Sequence, residues 1–595
     1  MRGAVAGAVA MLGQLPRVLR WALGLGVGAL GTAVLLRWGF RRRLEAKIAQ
    51  ALAQREQQLR QMEATLRSFW QKHPDASPKS IVSLSLLELT QKLQEGTLSP
   101  ELVLHSYLEQ AVRTQRDRNC LTGFPSDWEQ QLQELHQRPH RGPLYGVPVS
   151  LKDNYQCQGV TSTCGLVAWM DRPAKEDCVI AKVLKSQGAV VFAKTNVPQA
   201  MMSYNSFNPV FGWTLHPKDP QKMPGGSSSG EAVLIASGGS ILGMGSDLGG
   251  SIRLPASLCG VCGFKVTSAR LSSLGVLSAM PGQSTVMAAL GPMARDVDSL
   301  VLCLRALLCA ELFRLDPTVP PLPFNDQLYS CSEPLRIGYC EEFDSLSPTL
   351  PCMRRVLQQS RELLERAGHK VIPFSLRQTD SMTFHFFYGG ILADGLETLS
   401  ELLRDEKRSP SPGLILELCR LPVFLRRLLS VLLRPWVPRL AKVMKKSVGL
   451  RSVRKLWELQ VALKTYKHEV IRQWTALELD VLLCPSPCPA YNLSAKDFPF
   501  GQSSYTCLYN VLDFPAGTLP VSTVTEEDEA ELQQFFVRRG RSSNQVFASS
   551  VGLPLSVQCV ALPWQEEKAL RLMKEVETLM GAAGEPRPPR PPVSV

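Results

Sequence analysis

The sequence predicts an α/β protein built on a mixed β-sheet and preceded by an N-terminal transmembrane helix. Three observations carry that expectation. From Leu144 onward, short β-branched runs such as Val147 to Leu151 and Ala189 to Ala193 alternate with stretches of helical pattern. Trp21 to Leu36 is uncharged and apolar, bounded by Arg20 on one side and by Arg37, Arg41, Arg42 and Arg43 on the other. Over 595 residues the apolar fraction is 45% and the charged fraction 20%, the balance of a chain that buries a core.

The N-terminal run defines an anchor over residues 1–40. Its uncharged part is slightly shorter than the roughly 20 residues a spanning helix needs, and Trp38 and Phe40 extend it toward the interface. The arginines after it outweigh Arg2, Arg17 and Arg20 before it, so the reading is a single pass with a cytoplasmic body. Endoplasmic reticulum or other endomembranes are the expected address. A cleaved secretory signal is the competing reading, but the apolar region is long and no clear small-x-small site precedes the charges. Sixteen cysteines scattered without framework spacing agree with a reducing compartment. The one close pair, Cys259 and Cys262, lacks a second cysteine or histidine pair to complete a zinc site and reads as core packing; no metal is expected. The net charge of +13 is concentrated near apolar segments without any nucleic-acid-binding signature, which favours a membrane bilayer over nucleic acid as partner.

Over residues 41–82 the positions Leu44, Ile48, Leu52, Leu59, Met62 and Leu66 recur at helical spacing, predicting an amphipathic helical linker. Ser83 to Leu108 reads as two short helices, with Ser99-Pro100-Glu101 starting the second. In Leu414 to Lys446, apolar and aromatic residues alternate with eight basic ones after Glu417, broken by Pro435 and Pro438. That composition suits two short helices lying in the headgroup plane as a membrane-binding cap, residues 414–446, or else an ordinary buried pair. Residues 581–595, with Pro586 to Pro592, form a disordered Pro/Arg-rich tail. Either this tail or Pro320-Pro-Leu-Pro323 could meet an SH3-type groove; a plain surface loop and tail are the alternative.

The chemistry concentrates in Pro224-Gly-Gly-Ser-Ser-Ser-Gly-Glu231 and Gly245-Ser-Asp-Leu-Gly-Gly-Ser-Ile-Arg-Leu-Pro-Ala256. Glycines let backbone amides approach a ligand closely, and the amides of Leu248, Gly249, Gly250 and Ser251 could converge on one oxygen as an oxyanion hole. Ser251 ends that loop as the candidate nucleophile. Its hydroxyl needs a base, and Lys152, at the end of an apolar strand pattern, would lean toward the neutral form if buried.

On these motifs the chain resembles the amidase signature enzymes, and within them the members that act on fatty-acid amides. The resemblance runs from about Ser83 to Met580 and so sets a catalytic domain at 83–580. It implies the amidase signature fold, a large twisted mixed β-sheet core covered by helices, and a Ser-Ser-Lys triad falling on Ser251, Ser227 and Lys152. Ser251 would be the acyl-ester nucleophile, Ser227 the proton relay with a cis peptide bond before it, and Lys152 the general base and acid. Met201 and Ser203 match a stretch lining the family's substrate channel, while Asp247 and Arg253 would hold the loops. The implied reaction is cleavage of N-acylethanolamines and primary fatty amides to fatty acid and amine, with no cofactor, on a membrane, in a homodimer. Two departures stand out: Ser229 replaces a usual glycine, and Glu529 to Ser550, with Arg538, Arg539 and Arg541, differs from mammalian relatives and leaves the acyl-channel residues unassigned.

The same motifs admit competing readings. Gly226-Ser-Ser-Ser-Gly230 also satisfies G-x-S-x-G, with Ser228 as nucleophile and His369, His385 or His468 as base. The preceding Asp219 to Pro224 is polar and twice interrupted by proline, a poor strand for such an elbow. An amidase of smaller amides or esters, or an inactive membrane-bound binding protein of the same fold, completes the alternatives.

Overall fold

The β-branched run around Val149 forms the strand β2 (Pro148–Lys152) and that around Val191 forms β3 (Val190–Thr195), both entirely buried. They belong to an eleven-stranded sheet in the computed structural model, which describes residues 17–138, 140–342, 348–375, 382, 384–407, 409, 413–493, 504–537 and 546–584, with backbone alone over 17–34, 36 and 37. The remaining strands are β1 (Leu121–Gly123), the hairpin β4 (Phe207–Asn208) and β5 (Gly212–Trp213), β6 (Leu242–Asp247), β7 (Cys262–Lys265), β8 (Ala289–Ala294), β9 (Arg336–Tyr339), β10 (Lys370–Pro373), β11 (Val481–Pro485), β12 (Ala516–Thr523) and β13 (Pro554–Val560). Their order in the large sheet is β1-β3-β2-β6-β8-β7-β12-β13-β11-β9-β10. At one end β3, β2 and β6 run parallel. The middle, β6-β8-β7-β12-β13-β11, is antiparallel, and β11-β9-β10 is parallel again. The sheet is therefore mixed, as expected.

Strands buried at every position need cover on both faces. Helices Ser229–Ala236 and Arg253–Cys259 pack on each other and on the sheet, while Val297–Leu307, Pro351–Arg366 and Glu566–Ala582 form a second contacting group. The first group matters most for function, because each helix begins where one of the two glycine-serine loops ends. β2 and β6 are neighbours, so the C-terminal ends of these parallel strands bring Lys152 and Asp247 to the same edge of the sheet.

The N-terminal half of the chain departs from its expected division. Arg17–Lys72 is one continuous helix, so the expected anchor and linker share a single element. Leu44, Ile48, Leu59, Met62 and Leu66 of its predicted stripe are buried, whereas Leu52 is exposed. Among the described residues no helix is long and apolar enough to cross a membrane, so the spanning segment expected at Trp21 to Leu36 is not borne out by this structure. The two helices read from Ser83 to Leu108 are Leu86–Glu95, opened by a Ser85–Glu88 capping box, and the much longer Pro100–Arg118, whose Ser99 cap accepts the Leu102 amide. In the expected cap the chain makes three helices rather than two: Gly413–Leu418, Val423–Leu432 and Pro438–Lys446. Pro422 adds a break that the reading based on Pro435 and Pro438 missed.

All sixteen cysteines are free thiols. Cys259 and Cys262 are buried and donate to the Pro224 and Arg295 carbonyls. The Pro320–Pro323 run lies in a largely exposed loop. Residues 586–592, together with Arg538, Arg539 and Arg541, lie outside the described residues.

Candidate active site

Lys152 ends β2 with its side chain fully buried. Its Nζ lies 2.8 Å from Ser227 Oγ, 2.9 Å from Ser246 Oγ and 3.1 Å from the Ser246 carbonyl. Burial pulls its pKa down from the usual 10.5 to about 7, against the opposing pull of Asp247, Cys164 and Glu231. An amine with that pKa is half neutral near physiological pH and can accept a proton. The Gly226–Ser227 peptide bond is cis, as the resemblance implied.

Ser251 sits at 9% exposure, at the edge of a cavity that Leu248 and Gly249 also line. The loop carrying it is clamped by Asp247. Its carboxylate accepts from the Gly250 amide at 2.6 Å, the Ile252 amide at 3.1 Å, Arg253 Nε at 3.1 Å and Asn510 Nδ2 at 2.9 Å. Arg253 in turn reaches Gln558, Asn510 and the Thr506 carbonyl. Burial alone would raise the Asp247 carboxyl, but the Arg253 charge beside it holds it well below the carboxylate range. These two residues therefore shape the loop, and neither lines the cavity. Because the Gly250 amide points at Asp247, that member of the expected oxyanion set is occupied by the loop's own carboxylate.

Two glycines of the loop cannot be replaced without displacing neighbours. Gly250 has φ +120°, and a Cβ there would stand 2.3 Å from Thr506 Oγ1. At Gly249 a Cβ would stand 2.7 Å from the Phe387 ring. Removing the loop's cation has a measurable cost: Arg253→Met would strand the buried Asp247 charge. It is expected to lower unfolding stability by about 3 kcal/mol, read from denaturant unfolding of the detergent-solubilised protein. A loss below about 0.5 kcal/mol would refute the clamp.

The cavity wall explains why sequence reading identified only part of the site. Met201 and Ser203 line it, joined by Met202, Tyr204, Asn205, Met223, Phe387, Tyr388, Ile391, Leu414, Ile415, Tyr491 and Leu493. Apolar residues from 387–391 and 414–415 carry no polar signature and read as core in a sequence. Indeed, Phe387, Tyr388 and Ile391 belong to a separate apolar cluster with Val443, Met444 and Leu459. Two polar residues also escaped notice. Ser246 is the second residue bonded to the Lys152 amine, through its hydroxyl and its carbonyl. Glu231, fully buried in the first turn of its helix, accepts from Ser150 Oγ at 2.6 Å and Thr195 Oγ1 at 2.9 Å. Burial raises its carboxyl to about 7. The Glu at the end of the Ser-Ser-Ser-Gly motif was the available signal.

The elbow reading does not fit. Ser228 is fully buried, its amide donates to the Ser251 carbonyl, and it does not line the cavity. His369 accepts from the Leu335 amide, His385 lies 3.0 Å from Lys446 Nζ, and His468 lies within the helix Val453–Ala476. Ser229, the departure from the usual glycine, donates to the Asn196 carbonyl at 3.3 Å beneath the site.

A family model described as Amidase matches residues 102–570. The chain belongs to the amidase family. This amidase is thus an enzyme that hydrolyses amide bonds. It is 47% identical over 561 residues to fatty-acid amide hydrolase 1 of Sus scrofa, a match covering 94% of this chain and 96% of that protein. With the vitamin D3 hydroxylase-associated protein of Gallus gallus it shares 45% identity over 447 residues, covering 75% of this chain and 96% of that one. Among solved structures, a fatty acid amide hydrolase superposes on the amidase with TM-score 0.74 at 24% identity, covering 91% of this chain and 96% of that one. The peptide amidase of Stenotrophomonas maltophilia does so with TM-score 0.63 at 21% identity, covering 85% and 98%. These structural likenesses establish the α/β fold.

Proposed function

We propose that this amidase is a membrane-associated serine hydrolase that cleaves fatty-acid amides to fatty acid and amine through an acyl-enzyme on Ser251. The observation that carries the chemistry is the 2.8 Å contact between Lys152 Nζ and Ser227 Oγ in a buried setting. In the neutral amine, two N–H bonds donate to the Ser246 hydroxyl and carbonyl, which leaves the lone pair for the Ser227 hydroxyl. Ser251 Oγ attacks the amide carbon, its proton passes to Ser227, and the Ser227 proton passes to Lys152. The resulting oxyanion is met by the amides of Leu248, Gly249 and Ser251, with Gly250 held to Asp247. When the tetrahedral species collapses, Lys152 returns the proton through Ser227 to the departing amine, and water then hydrolyses the acyl ester.

The substrate reading rests on the cavity and on the surface near it. Leu248, Met201, Phe387, Ile391, Leu414 and Ile415 suit an alkyl chain better than a small polar amide. Outside, Phe424 is 71% and Trp436 76% exposed, with Leu428, Val431 and Leu432 also exposed on helix Val423–Leu432. Exposed Arg427 and Arg434 lie among them in sequence, and exposed Lys442 follows in helix Pro438–Lys446. An apolar patch with a cationic rim favours a bilayer as its partner, and the relatives named for fatty-acid amides support the same reading. Trp21 to Leu36 is proposed as a second membrane-seeking segment.

A substrate panel tests this. Oleoyl amide and an oleoyl ethanolamide are expected to exceed acetamide in kcat/KM by about 10³-fold or more, since each buried methylene contributes about 0.8 kcal/mol. Preference for acetamide would overturn the lipid reading while leaving the amidase assignment intact.

A further inference from the structure

A carboxylate lies beside a segment that leads into one wall of the cavity. Glu406 Oε2 accepts the Val167 amide at 3.0 Å, and Oε1 accepts the Ala168 amide at 2.7 Å. Next to it, the Lys407 carbonyl accepts Gln199 Nε2 at 3.2 Å. The chain around Glu406 is thus tied to two separate stretches. One is the short 3-10 turn Val167–Trp169. The other is Gln199–Met201, which continues into the cavity-lining Met201, Met202 and Ser203. Downstream of Glu406 the chain returns to the same wall. Gly413 approaches Ser203 so closely that a Cβ would stand 2.8 Å from its Oγ, and Gly413, Leu414 and Ile415 line the cavity.

We infer that Glu406 is a positioning residue for acyl-chain selectivity: its bidentate grip on the Val167 and Ala168 amides fixes the wall formed by Met201, Met202, Leu414 and Ile415. The inference rests on the proposal that the cavity takes the acyl chain. Glu406 touches neither Lys152 nor the loop of Ser251, so its contribution is to the grip on the substrate's apolar part and not to proton transfer. A carboxylate suits the task because the first amides of a short turn have no partner within the turn, and two oxygens satisfy two adjacent N–H groups at once. A long acyl chain needs the whole wall to be in place. A short one reaches only the region near Ser251.

The test uses the full-length protein in detergent micelles, with oleoyl amide and hexanoyl amide as substrates. Glu406→Gln keeps the size but leaves one acceptor oxygen and turns an NH2 group toward a backbone N–H. It is expected to raise KM for oleoyl amide about tenfold while moving kcat/KM for hexanoyl amide less than about twofold. Labelling of Ser251 by a short-alkyl fluorophosphonate should continue at the wild-type rate. Gln199→Met, which removes a side chain bonded to both the Lys407 carbonyl and the Glu406 carboxylate, should shift selectivity in the same direction, and it carries the test if Glu406→Gln does not yield folded protein. Equal losses on both amides, or an unchanged ratio between them, would overturn the inference. A wild-type enzyme indifferent to chain length would overturn the acyl-cavity proposal, and this inference with it, a result visible without any variant.

Discussion

Replacing Ser251 by alanine is expected to lower kcat by about 10⁵-fold and to abolish fluorophosphonate labelling, while Ser228→Ala keeps the label. The two serines make a fair contrast because both lie at glycine-rich turns. Ser251 borders the cavity, whereas Ser228 is fully buried and does not line it. Active-site labelling of detergent-solubilised protein, followed by identification of the modified peptide, reads the outcome directly. A label that survives Ser251→Ala and disappears in Ser228→Ala would sink the assignment of the nucleophile.

The second large effect concerns Lys152. With a pKa near 7, the neutral base form grows as pH rises through 7 and is nearly complete one unit above, so kcat/KM should climb through that range and then level off. At the ordinary pKa of 10.5 only about one molecule in 3,000 would carry the neutral amine at pH 7, so burial supplies most of the available base. Lys152→Ala is expected to cost about 10³-fold at pH 7 and to lose the plateau, with the rate still climbing into alkaline solution as hydroxide takes over. A variant whose profile keeps the wild-type inflection would show that another group sets it.

Much of this site could be read from residues alone because the chemistry imposes composition. Gly249 and Gly250 admit no side chain, since one faces Phe387 and the other Thr506, and that requirement shows in sequence as a glycine pair before a serine. The lysine at the end of an apolar strand was legible for the same kind of reason: β2 buries all five of its residues. What stayed hidden depends on contacts between distant segments. Phe387 and Leu414 look like any core residues until the fold brings them to Leu248 across the cavity. The Gly250 amide counted as an oxyanion donor by spacing, but only the position of the Asp247 carboxylate shows where it points. The helix Arg17–Lys72 was divided at its change of composition, although a helix continues wherever backbone bonding continues, whatever the polarity of its face.

The contact between Gly249 and the Phe387 ring has a consequence for anyone who would retune the enzyme. Phe387 is both part of the apolar lining and the surface on which the loop that carries Ser251 rests. Substitutions there cannot alter accommodation without also disturbing reactivity. Selection for new preferences should therefore find its tolerant positions farther along the wall, at Leu414 and Ile415, and directed libraries that begin at Phe387 will mostly return slow catalysts.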